Sequence, residues 1–174
     1  MHFNNLQKFQ FIDNLNINII SKDTTNLSII YRNYTKKIKS KELIKIKEFC
    51  KKRGIKFYIS NKIEQCLKYN LDGLYIPSFN KRNIVKKLNI RKQIIIGSAH
   101  NVTEVKKKIE QGCKIIFLSP LFKTYKSKYL GITRFNLIKM SFKNKFVALG
   151  GITQENIKKT KMLNIYGISG ISMY

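Results

Sequence analysis

Residues able to do chemistry recur in this chain where short apolar runs stop. Phe146-Val147-Ala148-Leu149 ends on Gly150-Gly151. A helical pattern follows, with Thr153 placed as N-cap, Glu155 in the first turn and Ile157 and Leu163 further on. Glycines between a strand and a helix let backbone N–H groups come close to a ligand, and the helix N-terminus adds partial positive charge. That is the physics of a phosphate site. A second apolar run, 166–171, carries Gly167 and Gly170 and leads through Ile171 into Ser172. A (β/α)8 barrel grips phosphate with just such neighbouring strand ends, after its last two strands. The plainer alternative is a pair of ordinary strand-to-helix turns.

The other run ends are polar in a compatible way. One stops on Arg32-Asn33-Tyr34, one on Ser60-Asn61, and one on Pro77-Ser78 with Asn80 just beyond. Another stops on Ser98-Ala99-His100-Asn101. The last, Ser119-Pro120, opens a loop with Thr124, Lys126, Ser127 and Lys128. Around one mouth these groups suit a phosphorylated substrate: Arg32 offers bidentate contacts, Lys126 or Lys128 a point charge, and His100 a proton donor and acceptor near neutral pH. Each also has a structural alternative. Arg32 can be the first solvated residue after a strand, His100 a polar helix-start residue, and the lysines part of a lysine-rich surface. Asp and Glu are scarce and fall mostly in helical segments. Neither a Ser-His-Asp set nor a carboxylate pair is recognisable, which argues against hydrolases of those kinds.

The elements that must position these groups alternate. Strands are expected at 9–13, 27–32, 55–60, 73–77, 93–98, 114–119, 145–149 and 166–171, each nearly continuously apolar, as strands buried on both faces are. Helices are expected at 36–52, 62–69, 82–88, 102–111, 134–140 and 154–163. The clearest carries Leu43, Ile46, Phe49 and Cys50 at helical spacing and stops at Gly54. Strand–helix alternation implies parallel strands with right-handed crossovers, and eight strands imply closure into a compact (β/α)8 (TIM) barrel. Roughly 22 residues per unit is tight for that fold. The first crossover, 14–26, is Asn/Thr-rich and short, and nothing after the eighth strand leaves room for a last helix. A doubly wound sheet of five or six strands is the alternative.

Composition bounds the rest. At 174 residues one domain is expected, and 43% hydrophobic content excludes a disordered chain. No apolar run approaches the ~20 residues of a membrane span, and MHFNNLQKFQ lacks a signal-peptide core, so a cytoplasmic protein is expected. Cys50, Cys66 and Cys113 lack metal-ligand spacing and read as small buried apolar residues. The charge is extreme, 35 Lys+Arg against 9 Asp+Glu for a net +26. Such a field favours anionic partners. Yet the lysines are scattered over every expected helix, no aromatic nucleic-acid motif accompanies them, and Asn and Ile are over-used with Lys. That pattern fits compositional bias, with no specific nucleic-acid partner.

In order and spacing, several segments resemble thiamine-phosphate synthases and the related thiazole tautomerases (TenI-like). The resemblance runs from about Phe9 to Tyr174. GCKIIFLSPLFKTYKSKYLGITRF, from Gly112 to Phe135, resembles the family's Gly-Ala-Asp strand, its Ser-Pro loop and the Leu-Gly that follows. LDGLYIP, IIGSAHN, FVALGGI and YGISGIS resemble further strand ends of the family. The resemblance implies a barrel that joins a hydroxymethylpyrimidine diphosphate to a thiazole phosphate and releases pyrophosphate with Mg2+. It places Arg32, Ser98 and Asn61 on the pyrophosphate, Thr124 in the thiazole-side loop, and Gly150, Gly151, Gly170, Ile171 and Ser172 on the thiazole phosphate. The family's lysine in the strand-six loop falls near Ser127, where the flanking Lys126 is the candidate catalytic cation beside Arg32. His100 falls where the tautomerases place a catalytic histidine. The family's two metal-binding carboxylates fall on Asn61 and Asn80, and amides are much weaker ligands for a hard cation. Synthase is the leading expectation; a tautomerase, or a non-catalytic binder of phosphorylated metabolites, is the alternative.

Overall fold

A computed structural model describes residues 6–35, 37–83, 93–125 and 128–170. Eight strands close into one parallel barrel in sequence order: β1 Gln7–Ile12, β2 Leu27–Tyr31, β3 Lys56–Ser60, β4 Gly73–Ile76, β5 Ile94–Ala99, β6 Ile115–Leu118, β7 Lys145–Leu149 and β8 Gly167–Ser169. Closure is made by β1 on β8, with Gln7 opposite Gly167, Lys8 opposite Ile168 and Phe9 opposite Ser169. The Ser169 hydroxyl adds a bond to the Phe9 carbonyl at 2.7 Å. All eight expected strands are present, with ends shifted by one or two residues, so the doubly wound alternative is set aside.

The continuous apolar runs have two destinations. Phe9, Ile30, Tyr58, Tyr75, Ile96, Phe117 and Val147 point inward and fill the barrel. Their neighbours Ile29, Phe57, Ile59, Leu74, Ile116, Phe146 and Ala148 point outward, as the period of two requires. The outer layer is covered by α1 (Ser40–Lys52), α2 (Ile63–Lys68), α3 (Val102–Glu110) and α4 (Gly131–Met140), which contribute Leu43, Ile46, Cys50, Cys66, Val105, Phe135 and Ile138. No helix among the described residues is long and apolar enough to cross a membrane.

Three helix expectations are corrected. The first helix begins at Ser40, not Lys36: residues 37–39 are non-helical, Lys39 is extended, and Ile38 packs on the core from that chain. The segment after β7 is a 3-10 helix, Ile157–Leu163, not an α-helix from 154. Asn156 is the reason. Its amide donates to the Gly151 carbonyl at 2.7 Å and accepts from the Thr153 N–H at 2.9 Å, tying the turn down where an α-helix would start. Thr153 therefore does not cap; it sits one turn ahead of the cap residue Asn156. The fourth helix starts earlier than expected, at Gly131. Residues 14–26 form only a short 3-10 turn, Ile17–Ile19, which matches the short first crossover. The expected helix at 82–88 falls mostly outside the described residues.

The three cysteines are free and buried, and burial pushes each thiol from 9.0 up to about 12. The folded state thus prefers the protonated thiol. Stability from these groups is complete below pH 9 and is lost as pH rises towards about 12. Urea midpoints should fall across that window, and Cys66→Ala should make the fall shallower even though its cavity lowers stability at every pH. A second expectation concerns the barrel interior. Phe117 is fully buried among Phe9, Phe11 and Tyr75. Phe117→Ala should cost about 3–5 kcal/mol in chemical denaturation, against about 0.5 kcal/mol or less for the exposed Leu137→Ala.

Candidate active site

The C-terminal ends of the strands converge on one rim, where barrel enzymes do their chemistry. At the end of β2 the Arg32 N–H donates to the Ile12 carbonyl at 2.7 Å, and its guanidinium lies over the Phe11 ring, 4.6 Å from the centroid. A cavity of about 620 Å³ opens here, lined by Arg32, Phe11, Gln10, Lys22 and, from the end of β8, Gly170. Thus Arg32 and Gly170, expected on the two phosphates, border the same space. Beneath them Phe11, Tyr75 and Phe117 pack edge to face at 5.3–5.9 Å. Burial raises the Tyr75 hydroxyl to about 12, partly offset by its hydrogen bond to Ser98, so it stays a neutral group. Ser98 is itself buried, below the rim.

The next cluster joins β2, β3 and β4. Tyr34 reaches across to bond the buried Ser60 hydroxyl at 3.0 Å and stacks edge-on against Phe79. Asn61 sits in the left-handed region at φ 59°, a conformation Asn tolerates. Its side-chain oxygen accepts from the Asn80 amide at 2.5 Å, while the Asn80 oxygen accepts from the Arg82 N–H at 3.0 Å. Asn33 ties this side to the first crossover by donating to the Asp13 carbonyl at 2.6 Å.

Across the rim, His100 Nδ1 lies 2.8 Å from the Ser119 carbonyl and 3.2 Å from its hydroxyl. A carbonyl can only accept, so this contact puts the proton on Nδ1 and leaves the lone pair on Nε2. The helix start holds the backbone in place: Asn101 accepts from the Glu104 N–H at 2.9 Å, and Glu104 accepts from the His100 N–H at 2.9 Å.

Gly150 and Gly151 have φ of 90° and 70°. A side chain at Gly150 would sit 2.9 Å from the Pro120 side chain, and one at Gly151 only 2.6 Å from the carbonyl oxygens of Phe122 and Lys123. The loops after β6 and β7 are in fact laced together, Leu121 N–H to Leu149 O at 2.8 Å and Phe122 N–H to Gly150 O at 3.1 Å, next to the cis Ser119–Pro120 bond. The glycine pair therefore has a packing reason of its own; Thr124, half-buried, follows in the same β6 loop. Lys126, Ile171 and Ser172 lie outside the described residues.

Sequence reasoning named Tyr34 only as a strand-end residue, and missed Asn156 and two buried polar residues, Lys108 of α3 and Gln111 at its C-cap. Lys108 is 1% exposed and donates to Pro77 O at 2.7 Å, Asn80 O at 2.8 Å and Gln111 Oε1 at 2.9 Å. Gln111 donates to the carbonyls of Asn80 and Arg82. The one available signal was Lys108's place three residues after the core residue Val105, and the lysine-rich composition masked it.

Residues 23–174 match the family described as thiamine monophosphate synthase. The chain belongs to that family. It is 31% identical over 148 residues to an Aquifex aeolicus protein provisionally named thiamine-phosphate synthase 2, covering 80% of this chain and 78% of that one. It is 33% identical over 138 residues to a thiamine-phosphate synthase of Prochlorococcus marinus, covering 76% of this chain and 39% of the relative, so the chain spans well under half of that longer protein. Among solved structures, thiamine phosphate pyrophosphorylase from Pyrococcus furiosus superposes with a TM-score of 0.72 at 16% identity, over 97% of this chain and 87% of that one. That likeness supports the barrel fold.

Family resemblance implies Mg2+ near Asn61 and Asn80, and the residues present do not fit it. Both are neutral amides, and both amide oxygens already accept hydrogen bonds, from Asn80 and from the Arg82 N–H. Among the described residues no three His, Cys, Asp or Glu side chains cluster as a metal site. What the pair offers in place of ligands is N–H donors.

The loop packing gives a direct stability test. Gly151→Ala forces a left-handed alanine, at roughly 1–2 kcal/mol, and adds a clash with two fixed carbonyls. Gly54→Ala carries a similar φ of 67° but meets open space. Thermal melts should therefore show Gly151→Ala as clearly the more destabilised of the two.

Proposed function

We propose that the protein is a thiamine-phosphate synthase of thiamine biosynthesis, a transferase that couples hydroxymethylpyrimidine diphosphate to thiazole phosphate. In that reaction the bond between the pyrimidine methylene carbon and the diphosphate oxygen breaks. Its electron pair leaves with pyrophosphate, and the thiazole ring nitrogen bonds to the same carbon. The reading rests on one observation above the others: Arg32 is held at the mouth by a backbone bond and by the Phe11 ring, its guanidinium bordering the cavity.

A departing pyrophosphate gathers negative charge, and donors already fixed where that charge develops lower the barrier most. Arg32 supplies a permanent charge in a planar fork. Asn61 supplies neutral donors and Lys126 a further cation on this reading, while Ser98, expected on the pyrophosphate, lies buried beneath and bonds Tyr75. The thiazole phosphate is assigned to the facing side, against Thr124, Gly150, Gly151, Gly170, Ile171 and Ser172, where a strand end and the β6 loop meet. No step is assigned to a metal.

His100 supports a second reading. With Nδ1–H held by the Ser119 carbonyl, Nε2 is left to take and return a proton, which is what tautomerisation of a thiazole phosphate requires. The assay that separates the readings gives the purified protein both synthase substrates, and separately the thiazole tautomer, in buffer containing a chelator. The synthase reading expects condensation in the chelator, a fall of about 10²–10³-fold in Arg32→Ala, and a change of no more than about threefold in His100→Asn. Isomerisation abolished in His100→Asn, without condensation in the wild type, transfers the assignment to the tautomerase. Neither reaction in the wild type leaves a binder of phosphorylated metabolites.

A further inference from the structure

A lysine in a barrel's outer layer has no need to be buried, yet Lys108 is 1% exposed. Taking an ammonium out of water costs several kcal/mol, and an apolar side chain of the same length would fill the space at less cost. The fold makes room for it deliberately. A side chain at Gly97 in β5 would stand 2.7 Å from Cys113 Sγ, 2.8 Å from Lys108 Cδ and 3.0 Å from its Cγ, so the glycine leaves the space in which the lysine stem lies beside Cys113.

The ammonium reaches the loop that follows β4. Its three donors meet three acceptors, Pro77 O, Asn80 O and Gln111 Oε1. Gln111, also fully buried, adds bonds to Asn80 O at 3.0 Å and Arg82 O at 2.7 Å. Two side chains, one in α3 and one at its C-cap, thus hold three carbonyls of one loop. Phe79 adds a ring contact to Tyr34, and the loop is otherwise exposed or half-buried. Beyond buried Pro77 it runs Ser78, Phe79, Asn80, Lys81, Arg82 and Asn83, none of them buried. The residue it fixes most firmly is Asn80, whose carbonyl takes bonds from both Lys108 and Gln111 and whose side chain donates to Asn61.

We propose that Lys108 is a positioning residue for the diphosphate subsite: its buried ammonium clamps the β4 loop so that Asn80 fills the Asn61 side-chain oxygen and Asn61 presents its amide N–H groups to the anion. The clamp takes the place of a metal as the device that organises these two strand ends. The assignment of the anion to this corner rests on the synthase reading above; the clamp itself rests on the hydrogen bonds.

The test is isothermal titration of inorganic pyrophosphate, and separately of thiazole phosphate, into wild type and Lys108→Met at about 0.15 M salt, where the diffuse field of the surface lysines is screened. Lys107→Met, one position away on the outer side of the same helix, controls for net charge. The clamp predicts that Lys108→Met weakens pyrophosphate at least tenfold, leaves thiazole phosphate within about twofold, and leaves Lys107→Met like wild type. A merely structural lysine would weaken both ligands together or neither, and either pattern overturns the proposal. If Lys108→Met does not fold, Gln111→Leu keeps the ammonium and removes two of the loop bonds; it must show the same selective loss, and equal affinities in it overturn the proposal. Selective loss without condensation in the wild type sinks the synthase reading and leaves the clamp standing. A wild type that binds no pyrophosphate sinks both.

Discussion

The mouth of this barrel stands on three rings. Phe11, Tyr75 and Phe117 pack edge to face across the barrel axis, with Phe9 below them against Phe117 at 4.9 Å. A closed sheet of eight strands needs its interior filled by side chains, and aromatic rings fill it with few residues and few rotatable bonds. The same filling has a second consequence. Phe11 is the uppermost ring under Arg32, and a guanidinium over a ring face is held by the ring quadrupole as well as by contact. The core thereby sets the height and orientation of the charge at the rim. A long, otherwise flexible cation gains a fixed seat at the cavity, which it shares with the Asp13 carboxylate.

The second constraint is the lack of carboxylates. With 9 acidic residues in the chain, the rim is organised by amides, hydroxyls and backbone carbonyls. Asn33 joins β2 to the first crossover and Asn61 meets Asn80 between the ends of β3 and β4, while Asn101 and Asn156 tie down the local turns after β5 and β7. An amide can donate and accept at once, so one Asn can close a turn from both sides, as Asn156 does with the Gly151 carbonyl and the Thr153 N–H. A metal-centred rim would use carboxylates for the same joining and would need a cation to cancel their repulsion. The amide rim needs none.

How much of this was legible follows from the same physics. Strands buried on both faces leave continuous apolar runs, so all eight could be read, down to the short Gly167–Ser169 strand that closes the barrel. Helices with a clear apolar face, such as the one carrying Leu43, Ile46 and Cys50, could be read as well. The rim residues were visible as a list, because polar groups directly after such runs are uncommon, but not as pairs. That Asn61 meets Asn80 depends on a left-handed backbone at one and on the course of a loop at the other. Helix starts were the weakest point: local periodicity placed the last helix at 154, whereas Asn156 spends its side chain on the preceding turn and the chain tightens to a 3-10 form. The glycine pair was read for ligand access or as an ordinary strand-to-helix turn, and the structure adds the approach of the β6 loop, a contact between distant segments that no local pattern encodes.

Lys108 shows why composition hides function most effectively in a chain like this one. Thirty-five basic residues make any single lysine uninformative, and the net charge of +26 draws every anion towards every face. Such a field raises encounter rates but cannot tell a diphosphate from a monophosphate, and at physiological salt it decays within about 8 Å. Discrimination has to come from donors that are few, fixed and stripped of water, because only those lose a definite amount when the wrong ligand fails to meet them. Among the described residues Lys108 is the buried lysine, and it spends its charge on carbonyls of the protein itself. On the clamp proposed above, the selectivity of the rim is set by this buried basic residue, while the many exposed lysines set how often an anion arrives.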